Sequence, residues 1–250
     1  MKASSTFAGM AALLLASATA DAQPASAPQP SAATRAPSAE ATRLVEIVNP
    51  EAAMVAAGVR AFVDALKAEL SSSPDYQSLE GEYPGISKAV IDAGAAVVKQ
   101  DLTDELPAGR RRYAAFYDSH FTTAEIAELT KFYASPAGQR LVAAKFANLN
   151  IGALAADDPN PDAPITQDQI RDLNRSASQA VVSGMSGDDL AALMEFSKQP
   201  VFQKLTAKRG AIEQIEAEIA NEPDPELDKK LEVAISLTVE QYIESRATKK

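Results

Sequence analysis

Apolar residues recur at three- and four-residue spacing along nearly all of residues 41–250, and no alternating run marks a strand. The pattern predicts an all-α fold, a bundle of about eight to ten helices. A short helix over Glu40–Val48 stops at Asn49-Pro50, because proline disfavours helical dihedrals at the residue before it. Asn49 is placed to cap a second helix with Pro50 at its first position. That helix runs to Leu70 and turns Val55, Val59, Phe62 and Leu66 inward. Ser71-Ser72-Ser73-Pro74 ends it. Gly85–Leu102 follows with Ile86, Val90, Ala93 and Val97 on one face, then Leu106–Ser119 with Tyr113, Phe116 and Tyr117. Thr166 and Gln169 are spaced as a capping box opening a helix to Val182. Asp224-Pro225 starts a last helix bearing Leu227, Leu231, Ile235, Val239 and Tyr242.

The most complete local signal is residues 121–141. Thr122 and Glu125 form a capping-box pair, and Ile126, Leu129, Phe132 and Tyr133 share one helical face. Ser135-Pro136 turns the chain, serine as N-cap and proline at the first helical position. A second helix then carries Leu141, Val142 and Phe146. Gly138 early in it costs about 1 kcal/mol against alanine, which a close helix approach would offset. Residues 185–205, set beneath 121–141, repeat Ala, Leu, Phe, Pro, Gln and Leu at 127/191, 129/193, 132/196, 136/200, 139/203 and 141/205. The matches fall on the apolar face and the corner, so two helix–corner–helix repeats are expected, at 121–155 and 185–220. Two ordinary capped helices that happen to look alike are the alternative.

Tyr113-Ala-Ala-Phe-Tyr-Asp-Ser-His-Phe-Thr-Thr-Ala-Glu-Ile126 and Phe132-Tyr-Ala-Ser-Pro-Ala-Gly-Gln-Arg-Leu141 resemble the bacterial domain-of-unknown-function family numbered 2059. Its hallmark is a Tyr-rich helix, then Phe-Thr-x-x-Glu-Leu, then Phe-Tyr-x-Ser-Pro-x-Gly. The resemblance covers about 30 residues. It implies an exported all-helical protein and brings no assigned activity. The second copy departs from the hallmark, with Gln199 for the serine and Phe202 for the glycine.

Lys2, an apolar run over 7–16, and Ala18-Thr19-Ala20 with Ala20-Asp21-Ala22 have the layout of a secretory signal peptide cut after Ala20 or Ala22. The run is too short for a bilayer span, which needs about 20 apolar residues. The mature chain is therefore expected in the periplasm, without a membrane span. Residues 23–40, rich in Pro, Ala and Ser, read as a disordered spacer, leaving 41–250 as the folded domain.

Composition narrows the function classes. A net charge of −10 argues against nucleic acid as a partner, and zero cysteines leave stability to packing alone. His120 is the only histidine, so neither a zinc site nor a two-imidazole mechanism is available. Asp158, Asn160 and Asp162 have calcium-loop spacing, but Ala163 and Gln169 stand where glycine and a bidentate glutamate belong. The sequence thus gives no catalytic residue, no metal and no cofactor. It leaves a surplus that folding does not explain and the second copy does not keep: His120, Tyr133 and Gly138, with Tyr117 beside them. These mark a surface or cleft for an envelope protein or a small apolar ligand. The rival is a hydrolase using acidic residues in a cleft between the repeats.

Overall fold

The computed structural model describes residues 36–152, 154 and 163–247. The leader, most of the spacer and the Asp158–Asp162 run lie outside the described residues. Among the described residues there are α-helices and no strand: α1 (Ala39–Val48), α2 (Glu51–Ser72), α3 (Pro74–Glu82), α4 (Ile86–His120), α5 (Thr123–Tyr133), α6 (Pro136–Asn148), α7 (Gln167–Gly184), α8 (Gly187–Ser197), α9 (Pro200–Ala207), α10 (Arg209–Ala220) and α11 (Pro225–Ala247).

The expected starts are met where a side chain caps the helix. Thr122 accepts from the Glu125 N–H at 3.3 Å while Glu125 accepts from the Thr122 N–H at 2.7 Å, and Thr166 with Gln169 repeats the arrangement. Asp224 accepts from the Leu227 N–H at 2.9 Å and opens α11. At α1 the cap is Ser38, two residues inside the expected spacer. Pro50, not Asn49, is the N-cap of α2, because Asn49 closes α1 and its carbonyl accepts from Arg110.

Three features depart from the expected layout. α3 occupies the stretch read as a break, Pro74 sitting at its start; it buries no residue, so apolar periodicity could not reveal it. α4 runs unbroken for 35 residues through Pro107. Pro107 lies on the solvent side, where water can take the bond its ring removes. Packing keeps the helix whole: α2 and α11 lie along it, as do α1 and α10. The third departure is at Lys208, which separates α9 from α10.

α4 is thus the spine, and two apolar cores form along it. Val55, Phe62, Leu66, Val90, Val98, Leu102, Leu227 and Leu231 make a layer from α2, α4 and α11. The other core gathers α1, Ala57 and Ala61 of α2, the second half of α4 and everything from α5 to α10, so both helix–corner–helix units share it. Each fully buried leucine or phenylalanine there contributes about 1.5–3 kcal/mol relative to exposure.

The two units meet directly. Phe132 and Phe196 stack with centroids 3.9 Å apart and planes 5° from parallel. Lys204 Nζ donates to both Glu125 oxygens at 2.7 and 2.8 Å. Arg140 forks onto Asp189 through Nε and Nη2.

Candidate functional site

Of the four residues singled out in the sequence, the structure brings Tyr117 and Tyr133 together inside the shared core and leaves His120 and Gly138 outside that group. Gly138 explains itself sterically. A Cβ there would lie 2.2 Å from the Phe132 carbonyl oxygen and 2.6 Å from Tyr133 Cα. The first turn of α6 therefore presses on the last turn of α5 at a distance only glycine permits. Its role is to close the corner.

Tyr117 and Tyr133 belong to a buried polar cluster drawn from five helices. α4 supplies Tyr113 and Tyr117, α5 supplies Tyr133, and α6 supplies Lys145, 4% exposed. α7 contributes Asn174 and α10 contributes Glu216, 3% exposed. Asn174 Nδ2 donates to Glu216 Oε2 at 2.8 Å. Among the described residues Glu216 Oε1, Lys145 Nζ and the hydroxyls of Tyr113 and Tyr133 have no hydrogen-bond partner. Each such group left dry costs about 1–3 kcal/mol, so the cluster is a costly feature of an otherwise apolar core.

Its electrostatics follow from burial. Burial pushes the Lys145 amine down to about 7, against the pull of Glu216. It pushes the Glu216 carboxyl up to about 8, against Lys145 and the Asn174 amide. Both directions favour neutral forms, as expected of charges removed from water. The phenols of Tyr113 and Tyr117 are held well above their ordinary values by burial first, with Glu216 adding to both. Tyr133 is raised by burial. Near this cluster Glu213 is held by Arg209 at 2.7 Å and Arg171 at 3.3 Å.

The cluster was partly legible in the sequence. Lys145 interrupts the inward face Leu141–Val142–Phe146, and Glu216 interrupts Ile212–Ala217–Ala220. A charge at the helical spacing of a buried stripe is the signal that periodicity alone overlooks.

An aromatic ladder links the cluster to the surface. Phe116 packs edge-on against Tyr117, centroids 5.3 Å apart, and against His120 at 4.8 Å. His120 lines a groove of about 950 Å³ at the C-terminal end of α4. Phe116, Phe121, Ile126 and Ile215 give it an apolar lining, with Asp118 and Thr122 as polar neighbours. Asp118 is committed to Ser38, whose N–H and hydroxyl both donate to it at 2.5 Å. Partial burial, then Lys208 and Lys204, push the His120 imidazole below its ordinary value. Lys204 Nζ lies 5.2 Å from the Phe121 ring centroid. The groove thus has an apolar wall, with Arg112, Asp118 and Glu218 also in its lining and Lys204 and Lys208 near enough to act on His120. The cations acting on His120 disfavour its protonated form. Among the described residues no three His, Cys, Asp or Glu side chains gather as metal ligands, and no helix is long and apolar enough to cross a membrane.

No curated protein and no solved structure matches the chain at a significant level. Over residues 110–147, the stretch bearing Tyr113, Tyr117, His120, Tyr133, Gly138 and Lys145, the chain matches the model of a family described as "Uncharacterized protein conserved in bacteria (DUF2059)".

Proposed function

We propose that the mature chain is a periplasmic binding protein and that its ligand is a small, mainly apolar molecule with an acidic head. The groove at the end of α4 carries this reading. Its apolar wall of Phe116, Phe121 and Ile215 suits a hydrocarbon body. Lys208, one of the cations acting on His120, offers the charge for a carboxylate, and the imidazole, whose protonation those cations disfavour, offers a hydrogen bond. Export is supported by the charged start, the apolar run and the Ala-x-Ala sites of residues 1–22. The competing hydrolase reading would use Glu216, the carboxyl with the raised pKa. At 3% exposure that carboxyl is out of a substrate's reach, which favours binding over catalysis.

Laurate is the probe: titrated into the mature chain and followed by calorimetry, it should bind saturably. His120→Ala combined with Lys208→Ala should weaken binding by about tenfold. Absence of saturable binding, or indifference to both substitutions, would overturn the reading. Fractionation tests export separately. The mature protein should sit in the periplasmic fraction with Asp21 or Gln23 as its first residue.

A further inference from the structure

The units make contact through corresponding positions. Adding 64 to Phe132 gives Phe196, its stacking partner. Adding 64 to Glu125 gives Asp189, and to Arg140 gives Lys204; the two inter-unit ion pairs, Glu125–Lys204 and Asp189–Arg140, exchange these positions. Residue i meeting j′ while j meets i′, with one residue stacked on its own counterpart, is the contact pattern of a two-fold axis.

The correspondence extends backwards into the preceding helices. Leu106, Tyr113, Ala114 and Tyr117 of α4 are buried, and so are Ile170, Ala177, Ser178 and Val181 of α7. The turn into the next helix also agrees, with φ −72° and ψ 159° at Thr122 against φ −68° and ψ 159° at Ser186. Thus α4–α5 and α7–α8 present the same kind of groove.

The first groove is filled. α1 packs on both α4 and α5, and its N-terminus is fixed on Asp118 through Ser38. Its stripe Ala41, Leu44, Val45 and Val48 is buried, and under the same core lies Ile126, 2% exposed. On α7 and α8, α6 packs against both helices, but among the described residues the face bearing Val182, Leu190 and Met194 is left exposed. There Val182 replaces Asp118 and is 45% exposed, Leu190 replaces Ile126 at 38%, and Met194 replaces Thr130 at 57%. Nearby charges are already paired within their own helices, Arg175 with Asp172 and Lys198 with Glu195.

We propose that the α7–α8 groove, around Val182, Leu190 and Met194, is a docking site for one amphipathic helix of another polypeptide, seated as α1 is seated on α4–α5. The filled groove specifies the occupant's chemistry. It is a helix of about three turns with small and branched apolar residues at positions 1, 4, 5 and 8. The neutral face calls for apolar contacts, and Val182 in place of Asp118 removes the acceptor that a capped N-terminus would need.

The probe is a synthetic peptide of residues 36–49, which contains α1 and its cap. Titrated into the isotope-labelled mature chain, it should give saturable amide shifts confined to α7 and α8. Leu190→Glu with Met194→Glu should weaken it by about tenfold without changing the melting temperature, since both side chains are exposed. Laurate binding in the α4 groove should be unaffected, which separates this inference from the proposed function. No saturable binding, shifts at α4–α5 instead, or equal binding to the double variant would overturn it. So would concentration-dependent dimerisation abolished by Met194→Glu, because the occupant would then be a second copy of the chain.

Discussion

At the first corner Ser135 Oγ accepts from the Gly138 N–H at 3.2 Å, and α6 lies against the last turn of α5 with no room for a methyl group. At the second, Gln199 makes no side-chain cap, and Phe202 stands in the glycine's place with its ring 5.4 Å from Phe196. The helix that follows differs too: α6 has 13 residues, whereas α9 has eight before the chain breaks at Lys208. Both corners keep the proline. Proline at the first helical position is therefore enough to turn the chain, while serine and glycine decide how tightly the two helices close.

The contents of the units diverge in the same sense. The first contributes Tyr133 and Lys145 to the buried cluster, after Tyr113 and Tyr117 of α4. Their counterparts at the same spacing are Ser197, Arg209, Ala177 and Val181. Arg209 reaches Glu213 in an ion pair, while among the described residues Lys145 has no hydrogen-bond partner. Both units bury polar groups, Tyr133 and Lys145 from the first and Glu216 from the second, but only the second also offers Leu190 and Met194 as an apolar face outside.

The largest test of this contrast is Gly138→Ala. The added Cβ meets the backbone of Phe132 and Tyr133, so relief requires moving α5 away from α6, at about 3 kcal/mol or more. Phe202→Ala should cost about 1–2 kcal/mol, because that ring is only half buried. Urea unfolding of the two variants decides. If Gly138→Ala is the milder, tightness at the first corner is not what glycine provides.

That contrast also marks where the sequence could be read. Thr122/Glu125, Ser135/Pro136, Thr166/Gln169 and Asp224 announced helix starts because capping is local, needing only neighbours three residues apart. The family resemblance in 113–141 was legible for the same reason, and the match over 110–147 bears it out. Tertiary packing decided the rest. The helices expected over Gly85–Leu102 and Leu106–Ser119 become one when α2, α11, α1 and α10 are laid along α4, and α3 buries no residue that would betray it. The site divides similarly. Tyr117 and Tyr133 stood out as surplus aromatics, but Lys145 and Glu216 are 71 residues apart, and only the closed bundle brings their charges into range.

Next in size is the pH response of that buried pair. Glu216, raised to about 8 in the fold, favours the folded state below its ordinary range, and that contribution is lost as pH rises through 8. Lys145, lowered to about 7, contributes above its ordinary range, and that is lost as pH falls through 7. The two losses overlap between 7 and 8, so stability should dip there by about 1–3 kcal/mol relative to pH 5. Lys145→Met with Glu216→Gln should flatten the dip without unfolding the protein, as replacing both members of a buried pair often does. Chemical denaturation from pH 5 to pH 10 checks this. A wild-type profile as flat as the double variant's would mean the pair is not closed from water.

The smallest effects lie at the caps. Ser135→Ala removes the acceptor of the Gly138 N–H and should cost about 1 kcal/mol. At the other corner the Phe202 N–H already reaches the Gln199 carbonyl oxygen at 3.1 Å. Gln199→Ser would add a second acceptor to a donor that is already satisfied, so its gain should be smaller, about 0.5 kcal/mol. Melting curves of the two variants, read against wild type, give loss and gain on one scale. A gain from Gln199→Ser as large as the loss from Ser135→Ala would mean that the corners differ only in their cap. A smaller gain would put the remaining difference in the geometry around position 202, where a phenylalanine ring keeps α9 from closing as α6 does over Gly138.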